Sequence, residues 1–226
     1  MKRLFILFLG LCLVAGMGLA EGQSRVAQKN YYVIDGSYSR SHYFFAKVEN
    51  IGDKPIYLDT GKLAVFDQND DIVQTESYIL SFPRYLEPGE YAYVRDWGLS
   101  DRGFDSVGDV KFSIGMIDLR DTVTRLACEQ VYDPGIAVVM YDDYVNVTFT
   151  NVTEETLYGI NIVIALLDDE GNILYNNYDS LGNIGVHAGS TITARVSIEP
   201  DFVRLFEKEG IKLSILDAIV YYENGH

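Results

Sequence analysis

Hydrophobic and polar residues alternate with period two along most of this chain. In "YFFAKVEN" (43–50), Phe45, Lys47 and Glu49 fall on one side of an extended segment and Phe44, Ala46 and Val48 on the other. In "VTFTN" (147–151), Val147, Phe149 and Asn151 alternate with Thr148 and Thr150. Tyr, Val, Ile, Phe and Thr dominate these runs, as a pleated, half-buried surface requires. Turn signals break the pattern about every 8–12 residues. They are Gly52-Asp53, Asn69-Asp70-Asp71, Pro88-Gly89, Gly171-Asn172 and Ala188-Gly189. One segment has helical spacing instead. In "PDFVRLFEKEG" (200–210), Phe202, Leu205 and Phe206 share a face and Gly210 can end the helix. It is expected to cap one end of a sheet sandwich.

The pattern occurs twice. "FAKVENIGDKPIYLDTGKLAVFDQNDDIV" (45–73) is echoed by "VTFTNVTEETLYGINIVIALLDDEGNIL" (147–174). Asn50 falls on Asn151, Asp67 on Asp168 and Ile72 on Ile173, and Pro88-Gly89 falls on Ala188-Gly189. "VKFSIGMID" (110–118) meets "IKLSILDAI" (211–219) at 101 residues, the offset of the first three pairs, while Pro88-Gly89 is offset by 100. A register held across a whole domain marks a duplicated unit. The sequence therefore predicts an all-β protein of two tandem antiparallel β-sandwiches of immunoglobulin type, at 28–127 and 128–226.

The N-terminus changes the picture. Lys2 and Arg3 precede an apolar run from Leu4 to Val14, and Gly18-Leu19-Ala20 is a small-x-small site. That is the layout of a secretory signal peptide at 1–20, and it predicts an extracytoplasmic protein, secreted or periplasmic, with no membrane insertion after cleavage. Cleavage removes Lys2 and Arg3 and takes the formal net charge from −15 to −17. So acidic a surface repels polyanions and argues against nucleic acid as a partner. Of the two cysteines, Cys12 leaves with the signal, so Cys128 has no intramolecular partner. Two roles stay open for it: a small buried hydrophobe or an intermolecular disulfide.

On these residues each copy resembles the FxLYD domain, an immunoglobulin-like extracytoplasmic module of bacteria and archaea. The five motif positions read Leu63-Ala64-Val65-Phe66-Asp67 in the first copy and Ile164-Ala165-Leu166-Leu167-Asp168 in the second. The aspartate and the apolar character are kept, while the motif's Phe and Tyr are replaced. Asn50, Asn151 and Pro88-Gly89 also fit that layout. The resemblance implies a fold and a compartment and carries no catalytic residues.

Candidate chemistry is sparse. Asp67, Asn69 and Asp71 have the spacing that opens an EF-hand loop, but Ile72 and Tyr78 stand where that loop needs glycine and glutamate. The corresponding "DDEGN" (168–172) reads as a hairpin turn, which is the favoured reading, with calcium as the alternative. His42, His187 and His226 are scattered without metal-ligand spacing. Ser41 beside His42 is no triad, and the pairs Asp142-Asp143 and Glu154-Glu155 do not converge as acid and base. The sequence thus predicts no enzyme and no cofactor. The remaining feature is aromatic: 17 tyrosines against one tryptophan, with Tyr78, Phe82, Tyr85, Tyr91, Tyr93 and Trp97 inside "YILSFPRYLEPGEYAYVRDWGL" (78–99). The second copy has "TITARVSIEP" (191–200) there, so this surface is peculiar to the first. Aromatic rings beside carboxylates suit either the sandwich core or a binding surface. The expected function is a non-enzymatic envelope or secreted module that binds a protein partner. The alternative is a carbohydrate or calcium module using 78–97 or the acidic turns.

Overall fold

The computed structural model describes residues 21–35, 40–99, 107–118, 121–134, 143–211 and 215–224. The signal segment 1–20 with Cys12, and the terminal His226, lie outside the described residues. The first half contains β1 (Ser24–Asp35), β2 (Arg40–Asn50), β3 (Ile56–Phe66), β4 (Ile72–Ile79), β5 (Ser81–Phe82), β6 (Tyr85–Leu86), β7 (Tyr91–Leu99) and β8 (Asp109–Ile117). The second contains β9 (Thr122–Leu126), β10 (Cys128–Asp133), β11 (Asp143–Thr150), β12 (Asn161–Leu167), β13 (Ile173–Ser180), β14 (Thr191–Ile198), helix α1 (Pro200–Glu209) and β15 (Ile215–Asn224). The fold is all-β, with antiparallel pairing throughout these ladders.

Four sheets form. They are β1-β2-β7-β5; β4-β3-β6 with β8 also on β3; β13-β12-β15-β9; and β10-β11-β14. Period two explains the first sandwich. Phe44, Ala46 and Val48 of β2 and Ala92 and Val94 of β7 meet Leu58, Leu63 and Val65 of β3 in one closed core. The opposite faces of β2 and β7 are also apolar, and this joins the halves. Tyr43, Phe45 and Tyr93 belong to the core of the second half, with Ile164, Leu166, Tyr175 and Phe202. Strand β12, buried at six of its seven positions, is covered on both sides. The sheets therefore stack in layers: the first half keeps a core of its own, and the core of the second half takes in side chains of the first.

Asn50 and Asn151, which align in the sequence, make matching hydrogen bonds. Buried Asn50 donates through Nδ2 to Lys54 O (2.8 Å) and Leu86 O (3.0 Å), and its Oδ1 accepts from Gly52 N (3.0 Å). Asn151 donates to Glu155 O and Val186 O, both at 2.8 Å, and accepts from Thr153 N at 2.9 Å. Each side chain ties the end of one sheet to the connection leading to the other. Asn151-Val152-Thr153 has the form of an N-glycosylation sequon, and it is closed, because its asparagine is 0% exposed.

Strand β9, at the end of the first copy in the sequence, is hydrogen-bonded to β15, from Leu126 opposite Val220 to Thr122 opposite Asn224. The chain changes sheets one residue later, since Cys128 already pairs with Phe149. Helix α1 forms over the segment with helical spacing. Pro200 stands in its first turn and Gly210 closes it at φ +65°, donating to Glu207 O. Its position is more central than an end cap. Phe202 lies 4.8–5.4 Å, ring centre to ring centre, from Tyr32, Tyr43, Phe45 and Tyr175.

Candidate functional site

The acidic stretch 67–71 is a hairpin turn closed on itself. Asp67 Oδ1 accepts from Asn69 N (2.7 Å) and Asp71 N (3.0 Å), and Oδ2 accepts from Asn69 Nδ2 (3.3 Å). Asp168 repeats this with Glu170 N, Asn172 N and Asn172 Nδ2. Hydrogen bonds to the ionised form hold both carboxyls below the usual range, from the Asn69 and Asp71 amides at Asp67 and first from Asn172 at Asp168. The left-handed position of each turn is Asp70 (φ +65°) in one copy and Gly171 (φ +81°) in the other. Asp70→Gly is expected to stabilise the chain by about 0.5 kcal/mol by relieving that conformation. A rise in the urea midpoint at constant slope checks it.

The aromatic segment splits three ways. Tyr85 lies on the short strand β6 and donates to Glu87 Oε1 at 2.6 Å. Tyr91 and Tyr93 point from β7 into the junction, and both hydroxyls donate to Asp217 Oδ2 at 2.6 Å. Arg125 closes the same cluster, donating to Tyr91 O (2.6 Å) and pairing with Glu90 (3.0 Å). Nearby, buried Arg95 pairs with Glu199 and donates to Asn177 Oδ1 at 2.7 Å, while Tyr175 donates to Glu199 Oε2 at 2.5 Å. These networks of hydrogen bonds and ion pairs join the halves.

The junction makes stability depend on alkaline pH. Burial, first of all, raises Tyr32 to about 12 and carries Tyr91, Tyr93 and Tyr175 higher, the latter three helped by Asp217 or Glu199. Folding favours the neutral phenols, so this contribution is complete below pH 10 and is lost as pH rises through the folded values. Base titration followed by tyrosinate absorbance and circular dichroism is expected to show ionisation and unfolding together, beginning above pH 10.

Tyr78, Phe82 and Trp97 do come together. They line a cleft of about 580 Å³ between the halves with Tyr178, Asp96 and Asp179. Tyr78 is the extra residue of a β-bulge: Gly61 opposes Ile79 and Lys62 opposes Ser77, which leaves Tyr78 unpaired at φ +67°. A bulge of this kind re-aims a side chain, and a tyrosine held left-handed is a rare, strained residue. The residue is 80% exposed, beside Trp97 at 60% and Tyr178 at 47%. Phe82 stacks on Tyr178 across the junction, with centroids 4.1 Å apart and 18° between planes. Under the floor, His42 is buried on β2, stacked on Tyr31, with Gln74 Nε2 2.8 Å from Nδ1. Asp96 Oδ2 turns inward, 3.5 Å from His42 Nε2, without a hydrogen-bond donor.

Sequence reasoning missed Tyr178, Asp179 and Asp96 because the site depends on how the halves pack. One available signal was "YFFA" (43–46), whose apolar residues on successive positions mark a strand covered on both faces. Among the described residues no cluster of three or more His, Cys, Asp or Glu is placed to hold a metal ion. No helix there is long and apolar enough to cross a membrane.

No family model and no curated protein matches the sequence. Among solved structures the chain is similar to red sea bream transglutaminase, at 13% identity and a TM-score of 0.24. The match takes in 88% of this chain and 30% of the transglutaminase chain, and so loose a likeness says nothing about chemistry.

Proposed function

We propose that this chain is an exported, non-enzymatic binding module, built from two FxLYD-like immunoglobulin-type units, that holds a protein partner in the aromatic cleft between them. The observation that carries the reading is Tyr78, a bulge residue at φ +67° that is 80% exposed in one cleft with Trp97 and Tyr178. Burying those rings inside would relieve both the strain and the exposure, so their display points to a partner. Exposed Leu80 and Leu99 extend the apolar surface from the same half. Tyr and Trp are the residue types that dominate protein-binding hot spots. The signal-like N-terminus supports export. Glycan binding is the second reading, favoured by Asn177, Asp179 and Ser180 on the same wall. Calcium at 67–71 has less support, because the Asp67 oxygens are engaged by their own turn.

The test compares residues 21–226 with the Tyr78→Ala/Trp97→Ala double variant in capture of a partner from envelope extract, with cross-linking. Capture is expected to fall about 30-fold or more at nearly unchanged melting temperature, since two hot-spot aromatics are removed from an exposed site. Undiminished capture by the variant would count decisively against the cleft. Capture lost only on adding a defined oligosaccharide would favour the glycan reading.

A further inference from the structure

We infer that the group the cleft receives is an arginine side chain, carried on a basic, apolar segment of the protein partner. This rests on the cleft being the docking site and adds the chemistry of what enters it. The cleft combines the exposed rings of Tyr78, Trp97 and Tyr178 with the carboxylate of Asp179 and the partly exposed carboxylate of Asp96, of which Oδ2 turns inward toward His42. Ring faces are the negative ends of aromatic quadrupoles, so rings and carboxylates together favour a cation. The chain does not supply that cation itself. Among the described residues no lysine or arginine pairs with Asp96 or Asp179; Asp179 accepts only from Ser180 N, and Asp96 lies 3.5 Å from buried His42. Arg95, on the same wall, is spent on Glu199 and Asn177.

Elsewhere the chain completes this arrangement with its own arginines. Arg195 lies over the Tyr144 ring at 4.1 Å while its guanidinium bonds Asp133 at 3.1 Å. Arg125 lies over Tyr91 at 5.6 Å and pairs with Glu90 at 3.0 Å. The cleft has the ring and the carboxylate of these sites with the arginine missing. Arginine suits it better than lysine, because a flat guanidinium stacks on a ring face and still presents its edge to a carboxylate. The formal net charge of −15 adds long-range attraction for a basic segment.

Trp97 is the chain's single tryptophan and lies in the cleft, so its fluorescence reports occupancy directly. The probe is an acetylated, amidated Gly-Leu-Arg-Leu-Gly peptide, with a control in which citrulline, a neutral isostere, replaces arginine. Binding to the mature chain is expected to perturb Trp97 and to be about tenfold or more tighter for the arginine peptide, with the difference shrinking as salt rises. Asp179→Asn, and Asp96→Asn if its melting temperature is kept, are expected to reduce affinity for the arginine peptide and leave the citrulline peptide unchanged. Equal affinities for the two peptides overturn the inference and leave the cleft as a docking site. So does silence of Trp97 toward both peptides while the Tyr78→Ala/Trp97→Ala variant still loses its partner. If that variant keeps its partner, the docking site itself is wrong.

Discussion

Phe202→Ala is expected to lower the stability of the whole chain by about 3–5 kcal/mol, the range for deleting a fully buried aromatic side chain. Phe202 is 0% exposed and touches rings from both halves: Tyr32, Tyr43 and Phe45 from the first, Tyr175 and Phe206 from the second. The cavity would open where the shared core is densest, and the surrounding β-strands are too well hydrogen-bonded to collapse into it. The loss should register on both sides of the junction. Trp97 belongs to the first half and Phe202 to the second, so a shift of the Trp97 unfolding curve reports the coupling between them. Urea unfolding followed by Trp97 fluorescence and by far-ultraviolet circular dichroism is expected to give one coincident transition, displaced to lower urea in the variant. A Trp97 transition unchanged by Phe202→Ala would mean that the halves unfold independently.

Asn151→Ala, and Asn50→Ala in the first half, are each expected to cost about 3 kcal/mol. Each asparagine donates two hydrogen bonds to carbonyl groups and accepts one from a backbone N–H in a dry setting. Alanine leaves Val186 O, Glu155 O and Thr153 N without those partners, and water has no route in, because Asn151 is 0% exposed. Aspartate should be worse than alanine, since it cannot donate while ionised and places a charge beside two carbonyl oxygens. The urea midpoints of the alanine and aspartate variants check both the size and the order.

The strands, turns and duplication are legible in the residues because each rests on local chemistry. Alternation sets which side of a strand is wet, and Asp67 and Asp168 fix hairpins through their own backbone amides. Pro200 and Gly210 bracket helix α1. The junction is less legible. Phe44 and Phe45 are equally apolar, and only the stacking of sheets decides that one faces its own sandwich and the other faces the neighbouring half. Glu199 and Asp217 look like ordinary strand-end charges until Arg95, Tyr91 and Tyr93 arrive from far along the chain. The same holds for the cleft. Tyr78, Phe82 and Trp97 stand out as aromatic residues, but Tyr91 and Tyr93, equally prominent in sequence, are drawn into the junction by the half-buried carboxylate of Asp217. Tyr178 and Asp179, the far wall, come from the other copy, where nothing local marks them.

Amide hydrogen exchange on the mature chain, with and without its captured partner, tests the docking cleft most directly. Partner binding is predicted to protect 78–82, 95–97 and 177–180 together, since these segments from both halves line the one cleft. Protection elsewhere, such as on strands β10 and β11, with those three segments unchanged, would contradict it.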